Sequence, residues 1–253
     1  MINPKELNTD ELYYNSKDYM SVSMYKQMQK CEFNAVNGVF EPTDSMLVGS
    51  YVDAYISGTL DEFISEHPEI FSSRGATKGQ LKSEFKKAEE ICSYIDNDKV
   101  FSQFMSGEKQ TVMTGEINGV PWKIKMDSYS PHIAINDLKC MYTVTNTKGE
   151  YVNFVSNWGY DIQMSCYQEI VFQNTGERLP VYVCAVTKET PINSVIVNIP
   201  QDILDIVLYD VEQLAPRAWA VMQGLVEPEK CGHCATCLSA RKTTPIVSLE
   251  DLV

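Results

Sequence analysis

The stretch Thr114 to Met141, TGEINGVPWKIKMDSYSPHIAINDLKCM, alternates polar and apolar residues between two turn-forming pairs. These pairs are Asn118-Gly119 and Ser130-Pro131, and residues of this kind mark tight turns between strands. Short turns favour antiparallel neighbours, so the segment predicts a three-stranded meander that begins just before it. The predicted strands cover residues 111–117, 120–129 and 133–141. The meander is the part of the chain around which the other elements are expected to pack.

Two acidic residues and a lysine lie on the second and third of these strands. Asp127 is followed ten residues later by Asp137, Leu138 and Lys139. Strand alternation places Asp137 and Lys139 on one face and Leu138 on the other. Because neighbouring strands joined by a short turn approach closely, the two carboxylates and the ammonium are expected to converge. Such a set of oxygen donors suits Mg²⁺ or Mn²⁺.

This spacing resembles the motif of the PD-(D/E)XK nucleases, in which an Asp precedes an Asp or Glu, one further residue and a Lys. The resemblance implies an α/β fold with a restriction-endonuclease-like core, a mixed central sheet flanked by helices. It also implies that Asp127, Asp137 and Lys139 are catalytic. The two carboxylates and the Leu138 carbonyl would hold one or two divalent ions. Taken alone, two acids and a lysine also suit the solvated face of a strand.

Two further acidic residues are candidates for the same site. Asp53 follows Gly49 by four residues on a helix predicted to begin at Thr43-Asp44 and to end at Gly58. RecB-like and RecE-like exonucleases carry a G-x-x-x-H motif there, so the resemblance implies Asp53 as an oxygen ligand in place of the histidine. Glu116, on the first strand, is an auxiliary candidate that projects toward the site or toward solvent.

A glutamine and a tyrosine follow the meander on a helix predicted over residues 160–174. Gln163 and Tyr167 are four residues apart and therefore lie on one face of that helix. The pair resembles the Q-x-x-x-Y motif that follows the catalytic lysine in RecB-like nucleases. The resemblance implies that they position DNA or the active-site lysine.

A second group of residues with metal-binding chemistry lies near residue 230. Cys231, Cys234 and Cys237 form a C-x-x-C-x-x-C pattern, in which each gap lets a tight turn aim successive thiolates at one centre. The iron–sulfur members of the RecB-like nucleases have one cysteine upstream and three downstream, which implies Cys31 as the fourth ligand. Four thiolates accept an iron–sulfur cluster or a structural Zn²⁺, and the resemblance favours iron–sulfur. His233 is an alternative zinc ligand.

Composition limits the class of protein. The chain has 253 residues, of which 44 % are hydrophobic, and this suits a single α/β domain over residues 1–253. Residues 1–20 are expected to form a loosely attached arm. Residues 231–237 are expected to form a metal-binding segment that links the C-terminal part of the chain to Cys31. No apolar run is long enough to span a membrane and no signal peptide is apparent, which predicts a cytoplasmic protein. In that compartment eight cysteines favour metal binding or burial over disulfides.

The net charge of −13 counts against indiscriminate nucleic-acid binding but does not exclude a nuclease. The ordered motifs between Ser21 and Lys242 resemble the phage and prophage RecE-like exonucleases. That resemblance implies hydrolysis at DNA ends during phage-type recombination, beside a single-strand annealing protein, with a homo-oligomer as a further expectation. Two alternatives stay open: a non-catalytic DNA-end or protein-binding module with the nuclease fold, and a cysteine-based metal or redox protein.

Overall fold

The computed structural model describes residues 7, 9–39, 42–243, 246 and 248–251. Within these residues the predicted meander forms and is extended by two later strands into one mixed sheet, with the strands in chain order across it. The strands are β1 (Glu108–Ile117), β2 (Val120–Ser130), β3 (Ala134–Met141), β4 (Val181–Thr187) and β5 (Ser194–Asn198). The β1–β2, β2–β3 and β4–β5 pairs are antiparallel and the β3–β4 pair is parallel.

The turn between β1 and β2 follows from its two residues. Asn118 has a φ of 46° and Gly119 a φ of 76°. Two successive residues with positive φ are what a tight two-residue hairpin requires, because its twist then matches that of the strands. Asn and Gly tolerate this conformation, which explains why the meander could be predicted from the sequence.

Helices cover both faces of the sheet. The helix α9 joins the parallel strands β3 and β4, as a crossover between parallel neighbours must. The mixed sheet flanked by helices confirms the predicted fold class. The helices are α1 (Asp10–Asn15), α2 (Val22–Lys30), α3 (Glu32–Asn37), α4 (Asp44–Ser57), α5 (Leu60–Glu66), α6 (Ser83–Asn97), α7 (Lys99–Phe104), α8 (Phe154–Asn157), α9 (Tyr160–Thr175), α10 (Gln201–Met222) and α11 (Ala235–Ser239).

Alternation along the strands separates two hydrophobic cores. On one face, Trp122 and Met126 of β2 pack with residues of α2, α9 and α10. On the other face, Leu138 of β3 and Cys184 of β4 pack with residues of α4, α5, α6 and α7. Burying large apolar side chains on both faces is the main source of stability for such a layered fold.

The prediction of a loosely attached arm does not hold for residues 9–20; residues 1–6 and 8 lie outside the described residues. Tyr19 and Met20 are buried, and Met20 forms a parallel bridge with Trp122 of β2. The Lys123 ammonium donates to the backbone oxygens of Tyr13 and Ser16. Long-range contacts of this kind have no local sequence signature, so the sequence alone predicted a loosely attached arm.

Of the helices in the part of the chain that the structure describes, none combines the length and apolar character needed to cross a bilayer.

Candidate functional site

An opening between β2 and β3 creates the site. The two strands pair only near their turn, at Ser128–Asn136, Tyr129–Ile135 and Ser130–Ala134. Beyond these pairs β3 continues alongside β4 and separates from β2. Asp127 lies where the separation begins, and its Oδ2 accepts a hydrogen bond of 2.8 Å from the Leu138 N–H. The carboxylate thus takes the place of a strand–strand hydrogen bond and faces the opening.

Asp137 and Lys139 occupy the same face of β3, as alternation predicted. Asp137 is only 1 % exposed; its Oδ2 forms an ion pair with the Lys139 ammonium and its Oδ1 accepts a 2.5 Å hydrogen bond from Gln163 Nε2. Burial lowers the pKa of Lys139, but Asp137 and Asp127 outweigh this effect, so the net pKa lies above its ordinary value. The lysine therefore stays charged.

A third carboxylate reaches the site from α4. Both oxygens of Asp53 accept hydrogen bonds from Gln110 Nε2, at 3.1 and 3.2 Å. Burial raises the pKa of Asp127 well above its ordinary value, and the charges of Asp137 and Asp53 raise it further. Asp137 and Asp53 therefore lie near enough to Asp127 for their charges to act on it.

The charge balance of this group fits a divalent cation. Lys139 is paired with Asp137, and Lys109 also lies within the field of Asp127 and Asp53, although burial lowers its pKa. Burial, and then the charges of Asp137 and Asp53, raise the pKa of Asp127, and a bound cation would offset this concentration of carboxylates. Carboxylate and carbonyl oxygens are the donors that Mg²⁺ and Mn²⁺ prefer. The residues present therefore fit such an ion.

Of the remaining predicted site residues, Tyr167 lies beside the carboxylates and Glu116 does not. Tyr167 is buried, and its hydroxyl donates to the Lys125 backbone oxygen at 2.9 Å, close to Asp127 on β2. Glu116 lies at the opposite end of β1, paired with Pro121 and exposed to solvent. It therefore does not join the carboxylates.

Gln110 was not identified from the sequence. It lies opposite Asp127, between the pairs Lys109–Ser128 and Thr111–Met126, and its φ of 50° is unusual for a residue with a side chain. This conformation occurs where the amide reaches Asp53, and strained residues that persist in folded proteins cluster at functional sites. A glutamine that adopts the left-handed backbone conformation within a strand has no sequence signature.

The four predicted cysteine ligands come together at the C-terminal end of α2, where Cys31 lies. The Sγ atoms of Cys31, Cys231, Cys234 and Cys237 all lie within 4.8 Å of one another. The Cys31 sulfur is 3.5 Å from that of Cys237 and 3.8 Å from that of Cys234, and the sulfurs of Cys231 and Cys237 are 3.9 Å apart. The remaining cysteines, Cys92, Cys140, Cys166 and Cys184, are free and lie in or against the core.

Backbone N–H groups favour the thiolate form at two of these cysteines, Cys31 and Cys231. The Asn34 N–H donates to Cys31 Sγ and the Cys234 N–H to Cys231 Sγ, each at 3.4 Å. Backbone hydrogen bonds from His233 and Cys234 lower the pKa of Cys231 to about 6. The His233 ring instead contacts the Cys231 backbone oxygen at 3.0 Å. Four thiols in this arrangement fit a bound metal.

The hydrogen bond from Gln163 to Asp137 gives the first prediction. Replacing Gln163 by leucine is expected to weaken Mn²⁺ binding about 10- to 100-fold, because residues that orient metal ligands contribute this much to affinity. Titration calorimetry with Mn²⁺ measures the change. The matched control is Gln173→Leu on the same helix, since within the described part of the chain the Gln173 amide forms hydrogen bonds with Glu116, at the far end of β1, and with Glu169 on its own helix. Equal Mn²⁺ affinity in the two variants would contradict the prediction.

Comparisons with known proteins agree with this geometry. A family profile described as a PDDEXK-like domain of unknown function (DUF3799) matches residues 21–240. The crystal structure of a predicted exonuclease from Eubacterium rectale is similar, with 41 % sequence identity and a TM-score of 0.86 over 99 % of this chain and 97 % of that chain. The structure of SSO0001, at 11 % identity and a TM-score of 0.30 over 76 % of this chain and 85 % of that chain, is too distant to support an argument. No curated protein matches the chain significantly.

Proposed function

The chain belongs to the family of PDDEXK-like domains of unknown function (DUF3799), and from this premise we propose that it is a divalent-metal-dependent exonuclease acting at DNA ends. The predicted resemblance to the PD-(D/E)XK superfamily is thereby confirmed. The observation that supports the proposal is the hydrogen bond from the Leu138 N–H to Asp127 beside the Asp137–Lys139 ion pair, where β2 and β3 separate. The charge of Asp53 also acts on Asp127. The similarity to the E. rectale protein supports the exonuclease part.

In this proposal Asp53, Asp127 and Asp137, with the Leu138 carbonyl, hold one or two Mg²⁺ or Mn²⁺ ions. When bound, such an ion lowers the pKa of a water molecule and neutralises charge on the scissile phosphate. The chain itself fixes the ligands: Gln163 orients Asp137, and the Leu138 N–H orients Asp127. Preorganised ligands avoid the cost of rearrangement when substrate binds.

Lys139 supplies positive charge at the reacting phosphate. Its ammonium is held by Asp137 and lies 5.0 Å from the centre of the Tyr160 ring. Because its pKa is raised, it stays protonated throughout the neutral range. It is thus suited to orient the attacking water or to stabilise the negative charge that develops on the phosphate oxygens.

The wider setting follows from the resemblance to RecE-like exonucleases. The substrates would be single- or double-stranded DNA ends, the products 5′-phosphorylated nucleotides, and the process phage-type recombination. A single-strand annealing protein and further copies of the same chain are the proposed partners. The approach of DNA to an acidic chain is supported by lysines beside the site, among them Lys26, Lys109, Lys125 and Lys139.

We propose that the cysteine cluster binds a structural Zn²⁺, whereas the resemblance to RecB-like nucleases favours an iron–sulfur cluster. Four sulfurs bonded tetrahedrally to one zinc at about 2.3 Å are about 3.8 Å apart, and the measured separations are 3.5, 3.8 and 3.9 Å. A cubane cluster binds each thiolate to a different iron, which requires wider spacing. The compact cluster therefore favours a single ion.

The nuclease proposal predicts metal-dependent degradation of DNA. The purified protein is expected to shorten linear single- or double-stranded DNA with Mg²⁺ or Mn²⁺ and to be inactive with EDTA, because catalysis needs the ion. Covalently closed circular DNA should stay intact, since it offers no end. Gel electrophoresis measures both, with end-labelled linear DNA in one assay and stained closed circles in the other.

Cleavage of closed circles would replace the exonuclease proposal with an endonuclease. Absence of hydrolysis by folded protein at saturating metal, on linear, nicked and single-stranded DNA, would overturn the enzyme proposal. That result would favour the non-catalytic DNA-end or protein-binding module.

A further inference from the structure

Lys26 of α2 is a second lysine beside the catalytic one. Its ammonium lies 5.2 Å from the centre of the Tyr160 ring, and that of Lys139 lies 5.0 Å from the same centre. Lys139 has its ion pair with Asp137, whereas Lys26 has no ion pair with a carboxylate among the described residues. A half-buried ammonium next to another ammonium calls for an anion.

The backbone near α9 is built to accommodate Lys26. Gly159, which precedes α9, has a φ of 63°, and a Cβ added there would lie 3.2 Å from Lys26 Cε. The glycine thus leaves room for the lysine side chain. Burial, then Lys139 and Lys30, lower the pKa of Lys26 to about 8 against the opposing effects of Asp137 and Asp161. A bound phosphate would offset the effects of burial and of the two neighbouring lysines on the Lys26 ammonium.

Trp158 lies directly beside this position. It follows α8 and precedes Gly159, and its backbone N–H donates to the Phe154 oxygen at 3.1 Å. Its side chain is 59 % exposed. Because Trp158 and Tyr160 are two residues apart, their Cα atoms are separated by at most about 7 Å. An exposed aromatic side chain is therefore carried by the residue next to Gly159, against which the Lys26 side chain lies.

We propose that Lys26 and Trp158 form a nucleotide-binding subsite for single-stranded DNA, in which Lys26 binds a phosphate and Trp158 stacks on a base. This inference rests on the proposed function, because it places the subsite along the DNA strand that reaches Lys139. Positive side chains combined with exposed aromatic rings are the usual means of binding single strands. A base can stack on Trp158 only when it is unpaired, so the subsite selects single strands over duplexes. The phosphate is either terminal or bridging.

Lys26→Gln tests the phosphate contact. Binding of a fluorescent single-stranded oligonucleotide, measured by anisotropy in EDTA, is expected to weaken about tenfold. The slope of log affinity against log salt should fall by about 0.7, the value for one phosphate contact on a single strand. Lys26→Arg should restore both, which a merely structural role would not explain. Lys86→Gln on α6, an exposed lysine on the other face of the sheet, is the matched control.

Trp158→Ala tests the stacking contact. Affinity for the single strand is expected to fall about tenfold, the size of one base–aromatic stack, while affinity for a blunt duplex stays unchanged. Trp158→Phe should keep most of the affinity. Tyr209→Ala on α10, which removes a ring of 60 % exposure, is the control. With Mg²⁺ present, the Lys26→Gln and Trp158→Ala variants should raise KM for the single strand and change kcat less than about twofold.

The outcomes separate this inference from the proposed function. Wild-type KM and affinity in both variants, with hydrolysis by the wild type intact, would overturn the subsite and leave the nuclease proposal standing. A wild-type protein that neither binds nor hydrolyses DNA would overturn both. Oligonucleotides with and without a terminal phosphate identify the phosphate: if Lys26→Gln weakens only the phosphorylated one, the contact is terminal, and if it weakens both equally, the contact is bridging.

Discussion

Replacing Asp137 by asparagine is expected to slow DNA hydrolysis at least about 10³-fold, because metal-ion catalysis supplies several kcal/mol of transition-state stabilisation. Asp137 is buried, pairs with Lys139 and accepts a hydrogen bond from Gln163. Asparagine keeps the shape of the side chain and can still accept the hydrogen bond from Gln163. It removes the negative charge that attracts the divalent ion and the Lys139 ammonium. Single-turnover hydrolysis with saturating Mg²⁺ measures the loss.

Two controls separate a catalytic defect from a damaged fold. Asp210→Asn, at an exposed position of α10, should retain wild-type activity. Asp137→Asn itself should remain folded at the assay temperature and bind DNA at least as tightly as the wild type, because a carboxylate that repels phosphate is removed. Residual activity above about a tenth of wild type would show that Asp137 is not the central metal ligand, since this exceeds what loss of the ion permits.

Removing the metal from the cysteine cluster is expected to have the second large effect. Cys237 is 4 % exposed and its sulfur lies near those of Cys31 and Cys231. Cys237→Ser should lose the bound zinc and lower Tm by about 10 °C, which corresponds to roughly 4 kcal/mol in a domain of this size. The reason is that α2 and α3 then lose their link to α11. Elemental analysis and thermal melting measure the two effects.

Cys140→Ser is the matched control, because Cys140 is half-buried and lies outside the cluster. It should keep about one zinc per chain and melt close to the wild type. Iron and inorganic sulfide in the purified protein, with no zinc, would reject the single-ion assignment. Full zinc content in Cys237→Ser would show that the four sulfurs do not form the site.

Local patterns explain which features of the fold could be predicted. The strands of the meander were predicted to within a few residues, because Asn118-Gly119 fixes the hairpin and alternation fixes the faces. The start of α4 followed from Thr43, whose side chain accepts a hydrogen bond from the Met46 N–H. Such signals involve residues only a few positions apart, so the sequence alone reveals them.

Site residues brought from distant elements were predictable only through a family motif. Asp53 and Cys31 were identified in this way; the structure places Cys31 in the cysteine cluster, and the charge of Asp53 acts on Asp127. Gln110, Lys26 and Trp158 belong to no motif, and their positions depend on how the sheet opens and how α2 packs on α9. For Glu116 the sequence left two directions open, and only the register of β1 shows that it is remote.

The link between Cys31 and Cys237 has a consequence for the order of events during synthesis. The two cysteines are 206 residues apart, and at translation rates of about 5–20 residues per second the second emerges roughly 10 to 40 s after the first. Throughout that interval α2, which carries Lys26 and ends at Cys31, lacks its partner thiolates. The nascent chain therefore cannot fix this helix beside Lys139 through the cysteine cluster until nearly all the residues described here have been made. Under the proposed function, the contact of Lys26 with DNA would therefore reach full strength only after Cys237 has been synthesised.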